Sequence, residues 1–80
     1  MSYYLHEYSQ IYEPHDRILT SKNLNNAKKE AEKMALYHVS SLQIIDQKTN
    51  NVICEKPFYY YTKHRRSKKW ITYKQEKKSC

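Results

Sequence analysis

Glycine is absent from all 80 residues, and that absence excludes every site built on it. A Gly-rich phosphate loop, a dinucleotide fingerprint and a nucleophile elbow each bring backbone to a place where a Cβ would clash. Cysteine is scarce: Cys54 and Cys80 form no C-x-x-C pair and no zinc spacing with His6, His15, His38 or His64. Neither a metal nor another cofactor is expected. Isolated thiols suit a reducing compartment, so the expected location is the cytoplasm. No window approaches the roughly 18 consecutive apolar residues of a membrane span. The first residues, Met1 to Glu7, lack the basic-then-apolar layout of a signal peptide, and no membrane partner is expected.

What is present in excess is positive charge, and it is unevenly placed. Residues 1–61 hold seven basic and seven acidic side chains, whereas residues 62–80 hold eight basic side chains against Glu76 alone. The net charge of +7 therefore belongs to the last 19 residues. Five of the seven residues 63–69 are Lys or Arg, and Trp70 follows directly. Such asymmetry suits an acidic partner met by one end of the molecule; the plainer alternative is a solubilising tail. One domain is expected over residues 1–75, with the basic loop 63–69 inside it and a flexible basic tail at 76–80.

The apolar pattern predicts an α+β fold. Leu24, Ala27, Ala31, Met34, Ala35 and His38 recur at spacings of three and four, which predicts a helix from about Asn23 to His38 with one narrow apolar stripe. Ser21 or Asn23 is placed to cap it. Leu42–Ile45 and Val52–Cys54 flank the polar stretch Asp46–Asn51, which predicts a β-hairpin. With no glycine available, Asn50 or Asn51 takes the left-handed position of the turn. Pro57 interrupts, Phe58–Thr62 reads as another strand, and Trp70–Tyr73 as a final one. Before the helix, Tyr3–Tyr12 reads as one strand and Arg17–Thr20 as its return. The order is β(β)-α-β-β-β, with one helix on a four- to five-stranded antiparallel sheet.

A single helix covers one face of a sheet. By period two, Tyr4, His6, Tyr8, Gln10 and Tyr12 share one face of the first strand, and this alternation of ring and polar group suits the wet side. The chain carries nine Tyr, whose rings tolerate partial exposure because each ends in a hydroxyl. Rings beside cations form a stacking platform for unpaired bases, while Lys and Arg neutralise phosphates. The candidate contacts are Lys63, Arg65, Arg66, Lys68 and Lys69 for phosphate and Trp70, Tyr60 and Tyr8 as rings, with His64 a further nucleic-acid or partner-binding residue. Tyr, Trp and Arg are equally the residues enriched at protein interfaces. No spacing brings Ser, His and acid together for catalysis, so the chain is expected to be no enzyme.

The segment Asn23-Leu24-Asn25-Asn26-Ala27-Lys28, followed by Leu42-Gln43-Ile44-Ile45-Asp46 and Thr49-Asn50-Asn51-Val52-Ile53, resembles a pattern common in small uncharacterised phage and mobile-element proteins. It spans roughly 34 of the 80 residues, and Thr49-Asn50 stands where such hairpins usually have Thr-Gly. Abundant Lys, Asn, Ile and Tyr fit an AT-rich genome. The resemblance implies a stoichiometric inhibitor of a host machine, of the anti-defence or anti-CRISPR type, as the alternative to a binder of nucleic acid or nucleoprotein. A homodimer joined through an edge strand is compatible with either.

Overall fold

In the computed structural model, which describes residues 2–73, the elements are β1 (Tyr3–Tyr8), β2 (His15–Ile18), α1 (Leu24–Met34), β3 (Ser41–Asp46), β4 (Val52–Lys56), β5 (Phe58–Tyr59), β6 (Arg65–Arg66) and β7 (Ile71–Thr72). Five strands form an antiparallel sheet in the order β2-β1-β3-β4-β7, and β5 with β6 makes a separate two-stranded ribbon. The α+β class and strand order agree with the sequence reading. The tail expected at 76–80 lies outside the described residues.

The helix starts where its cap dictates. The Asn23 side chain accepts hydrogen bonds from the Asn25 and Asn26 amides at 2.9 and 3.3 Å, filling positions that the helix leaves without a partner. Ala27 and Ala31 are fully buried, and their small side chains let α1 lie close over Leu5, Leu42, Ile44 and Cys54. Burial pushes the Cys54 thiol up to about 11, so it is an inert core residue. The β3–β4 turn follows its local chemistry: Asp46 Oδ1 accepts the Lys48 amide at 2.8 Å, and Asn50 takes the left-handed conformation with φ 64°.

Several boundaries differ from the periodicity, each for a tertiary reason. The helix ends at Met34 rather than His38 because the Leu36 and Tyr37 amides turn to the Glu7 carboxylate, each at 3.0 Å. The first strand stops at Tyr8 because the next groups leave the ladder: Ser9 Oγ donates to the Val39 carbonyl and the Gln10 amide to Tyr60 Oη. Its partner runs over His15–Ile18 rather than Arg17–Thr20. The Thr20 and Ser21 amides are taken by the Glu30 carboxylate. Phe58–Thr62 is a strand only through Tyr59.

Glu7 is the least expected core residue. It is 0% exposed and shares the helix-facing side of β1 with Tyr3 and Leu5. A buried carboxylate is tolerated only if its lone pairs are filled, and here each oxygen has two donors. His15 Nε2 (2.7 Å) and the Leu36 amide meet Oε1; Ser40 Oγ (2.6 Å) and the Tyr37 amide meet Oε2. Burial alone would raise its pKa, but the bonds from Ser40, Leu36, Tyr37 and His15 outweigh that and hold it below the ordinary value of 4.5.

The uncovered face carries one cross-sheet row of Asp16, His6, Gln43, Glu55 and Ile71, beside a second of Ile18, Tyr4, Ile45 and Val52. Among the described residues β2 is an edge strand of the sheet. About a two-fold axis, its two centred registers set Asp16 against Asp16 or Arg17 against Arg17, and like charges directly opposite are destabilising.

A carboxylate whose pKa is lowered by folding stabilises the fold above its unfolded pKa, and the effect is lost as pH falls through the folded value. Glu30 and Glu32 are also held low, so the Glu7 share is read from a variant. Glu7→Gln is expected to lose about 3 kcal/mol at pH 7, the scale for breaking a buried charge network. The gap from wild type is expected to narrow as pH falls toward 3 in urea denaturation.

Candidate functional site: the basic ribbon

Pro57 ends β4, and the chain reverses over residues 60–64 to form the β5–β6 ribbon, with Phe58 opposite Arg66 and Tyr59 opposite Arg65. Cross-strand partners share a face and successive residues alternate. Phe58 and Arg66 therefore face the body of the protein, and Tyr59 and Arg65 face away. Phe58 is buried. The Arg66 guanidinium reaches in: Nε donates to the Ser40 carbonyl, and Nη2 donates to the Tyr37 carbonyl and to Ser40 Oγ, all at 2.8 Å. Ser40 in turn donates to Glu7, so Arg66 is wired through one hydroxyl to the buried carboxylate. Burial lowers the Arg66 pKa, with Glu7 and Glu32 opposing that shift.

The sequence expectation set Arg66 among the phosphate contacts. Arg66 clamps the fold through Nε and Nη2, which are engaged within the protein. The consecutive residue Arg65 is exposed, because alternation along a strand sends neighbours to opposite sides.

The expected rings are redistributed as well. Trp70, taken from sequence as a stacking ring, packs against the core. Its Nε1 donates to Glu32 Oε2 at 2.9 Å, and the Lys56 ammonium lies 5.9 Å from its ring centroid. Lys56 and Glu32 also pair at 3.2 Å. The indole thus ties the chain leaving the ribbon back to α1. Tyr60 stacks at a tilt on Phe58, and its hydroxyl both donates to the Val39 carbonyl and accepts from the Gln10 amide. Tyr8 lies on the uncovered sheet face, where its hydroxyl, joined by that of Tyr73, donates to Glu55. Burial and that carboxylate push the Tyr8 pKa up to about 12. Tyr8 therefore stands beside a negative charge rather than among the cations.

Four of the five remaining expected residues come together. Lys63, Arg65, Lys68 and Lys69 line one open depression of about 230 Å³ with Tyr59 and Ser67. Ser67 shapes its far wall: its amide donates to the Pro57 carbonyl at 2.7 Å and its hydroxyl to the Lys69 carbonyl at 2.8 Å. His64 takes φ 50° at the end of the reversal and sets its ring edge-on to Phe58 at 5.5 Å. It lies next to the depression and outside its lining. Tyr59 is the ring that sequence reasoning left unassigned. The Lys63 ammonium sits 5.2 Å from its centroid, an exposed contact that contributes about 0.5–1 kcal/mol. Its position two residues after Pro57, on the face of β5 opposite Phe58, depends on where the ribbon pairs, and no local pattern shows that.

Among the described residues, none of these four cations has an acidic partner within ion-pair distance, and no carboxylate lines the depression. No group of three or more His, Cys, Asp or Glu is placed to hold a metal ion, and no helix is long and apolar enough to cross a membrane, among those same residues.

The two adjacent arginines should separate cleanly in experiment. Arg66→Gln is expected to lower stability by about 2 kcal/mol, the scale of lost charge-assisted hydrogen bonds. Arg65→Gln is expected to stay within about 0.5 kcal/mol of wild type, as for an exposed substitution. Thermal and urea unfolding of the two single variants measure the contrast.

Compared with known proteins, the chain matches no family model, no curated protein and no solved structure.

Proposed function

We propose that this chain acts by binding, without chemistry of its own, and that its partner is nucleic acid or a nucleoprotein engaged through the outward face of the basic ribbon. The observation that carries this reading is the depression itself: four cations without acidic partners among the described residues surround one aromatic ring. Unneutralised cations placed this close repel one another, and a polyanion relieves that repulsion while releasing its own counterions. The aromatic ring adds stacking, worth about 1–3 kcal/mol per base.

The salt dependence of binding tests the reading. With four phosphate contacts on a single strand, log K should fall against log salt with a slope of about 3, or about 0.7 per contact. Neutralising Lys63, Arg65, Lys68 or Lys69 to Gln is expected to lower affinity and to flatten the slope by about that amount for each residue. Binding that keeps its full slope in the quadruple variant would overturn the reading.

A second reading, direct docking on a host protein complex in the manner of a phage-encoded inhibitor, is favoured by a set of exposed apolar side chains. Ile11 and Leu36 are 66% and 60% exposed, Tyr61 is 88% exposed, and Tyr12 stacks on Tyr37 at 4.4 Å. The Tyr61 hydroxyl donates to Gln10 Oε1, next to Ile11, and exposed rings and aliphatics placed near one another are typical of an interaction surface. A pull-down with and without nuclease decides between the two. Nuclease-sensitive capture supports the first reading, and nuclease-resistant capture of one complex supports the second.

A further inference from the structure

The basic ribbon also carries information about which form of nucleic acid it fits. Resting on the nucleic-acid reading above, we propose that the depression seats a single unpaired nucleobase on the ring of Tyr59, with the flanking phosphates on Lys63, Arg65, Lys68 and Lys69, so that the chain selects single strands over duplex.

Three observations support this. First, among the chain's rings Tyr59 is the one that lines the cationic depression. Trp70, Tyr60 and Tyr8 are held elsewhere by Glu32, Val39 and Glu55 respectively. Second, the face of Tyr59 is presently covered by the protein's own cation, the Lys63 ammonium at 5.2 Å. That contact is the weaker of the two the ring can make, since base stacking exceeds an exposed ammonium–ring contact. A base arriving with its phosphate displaces the ammonium from the ring and gives it a phosphate oxygen to pair with, so Lys63 changes partner without losing one. Third, the ring stands alone between cations. In a duplex each base face is already covered by its neighbour, so a lone ring gains stacking only from a base that is unpaired. Phosphate contacts alone would not distinguish the two forms.

The uncovered sheet face is the rival platform. It carries Asp16 and Glu55 in the same row as His6, and these carboxylates oppose a polyanion.

The experiment compares three probes by fluorescence anisotropy at one low salt concentration: short oligothymidylate, an all-abasic strand of the same length, and a blunt duplex. The wild-type chain is expected to bind the abasic strand about tenfold more weakly than oligothymidylate, with the duplex also weaker. Tyr59→Leu is expected to lose about tenfold on oligothymidylate and nothing on the abasic strand. Tyr59→Phe, which keeps the ring and loses only the hydroxyl, is expected to restore the wild-type preference. An oligouridylate arm distinguishes RNA from DNA as the source of the base. Equal binding of oligothymidylate and the abasic strand by the wild-type chain overturns this inference while leaving the nucleic-acid reading standing. Absence of binding to all probes overturns the reading beneath it. Because the wild-type comparison needs no substitution, the result does not depend on how well a Tyr59 variant folds.

Discussion

The fold is organised around one buried negative charge. The Glu7 carboxylate has no access to water, so every lone pair must be met from within the protein or the charge is lost to protonation. Four donors meet it, and they come from parts of the chain far apart in sequence: His15 on β2, the Leu36 and Tyr37 amides after α1, and the Ser40 hydroxyl before β3. Meeting that one requirement ends the helix, turns the chain that follows it, and holds β2 against β1. Burying an ion is costly, and in a chain of this size the total margin is only several kcal/mol. An arrangement that left one of these donors out of place would not be tolerated.

The same network positions the candidate binding surface. Ser40 passes from Glu7 to Arg66, whose guanidinium also grips the Tyr37 and Ser40 carbonyls. Arg66 is on β6, so the ribbon is anchored by its inward arginine, and strand alternation then obliges Arg65 to face away. Trp70 provides a second anchor by donating to Glu32 on α1. Between these two fixed points lie Ser67, Lys68 and Lys69, brought against Tyr59, Lys63 and Arg65. The charged surface is presented by a framework held through Arg66 and Trp70.

That division of charge separates two surfaces that each carry aromatic residues. On the uncovered sheet face, carboxylates hold the polar tips: Asp16 meets His6 at 2.5 Å, and Glu55 accepts from both Tyr8 and Tyr73. On the outer face of the ribbon, one ring lies among cations without a carboxylate in the lining. Tyrosine serves both, because its body packs and its hydroxyl bonds. The identity of the residue therefore does not reveal which surface it joins.

Much of the scaffold was legible because its causes are local. The Ala27 and Ala31 stripe, the Asn23 cap, the period-two alternation of β1 and the Asp46 to Asn50 turn each depend on neighbours a few residues away. The exclusion of glycine-dependent sites and the concentration of charge beyond residue 61 are likewise properties of the sequence by itself. The contacts that periodicity does not show join distant positions. Arg66, Trp70, Tyr60 and Tyr8 looked like free binding groups until folding joined them to Ser40, Glu32, Val39 and Glu55. The burial of Glu7 has the same origin, since a glutamate at an alternating strand position becomes a core residue only when donors converge on it. Composition and periodicity determined that a neutral helix-on-sheet body would bear one basic segment. Only the tertiary structure decided which of that segment's cations and rings remain available, because a side chain is free to bind only where the fold has given it no other partner.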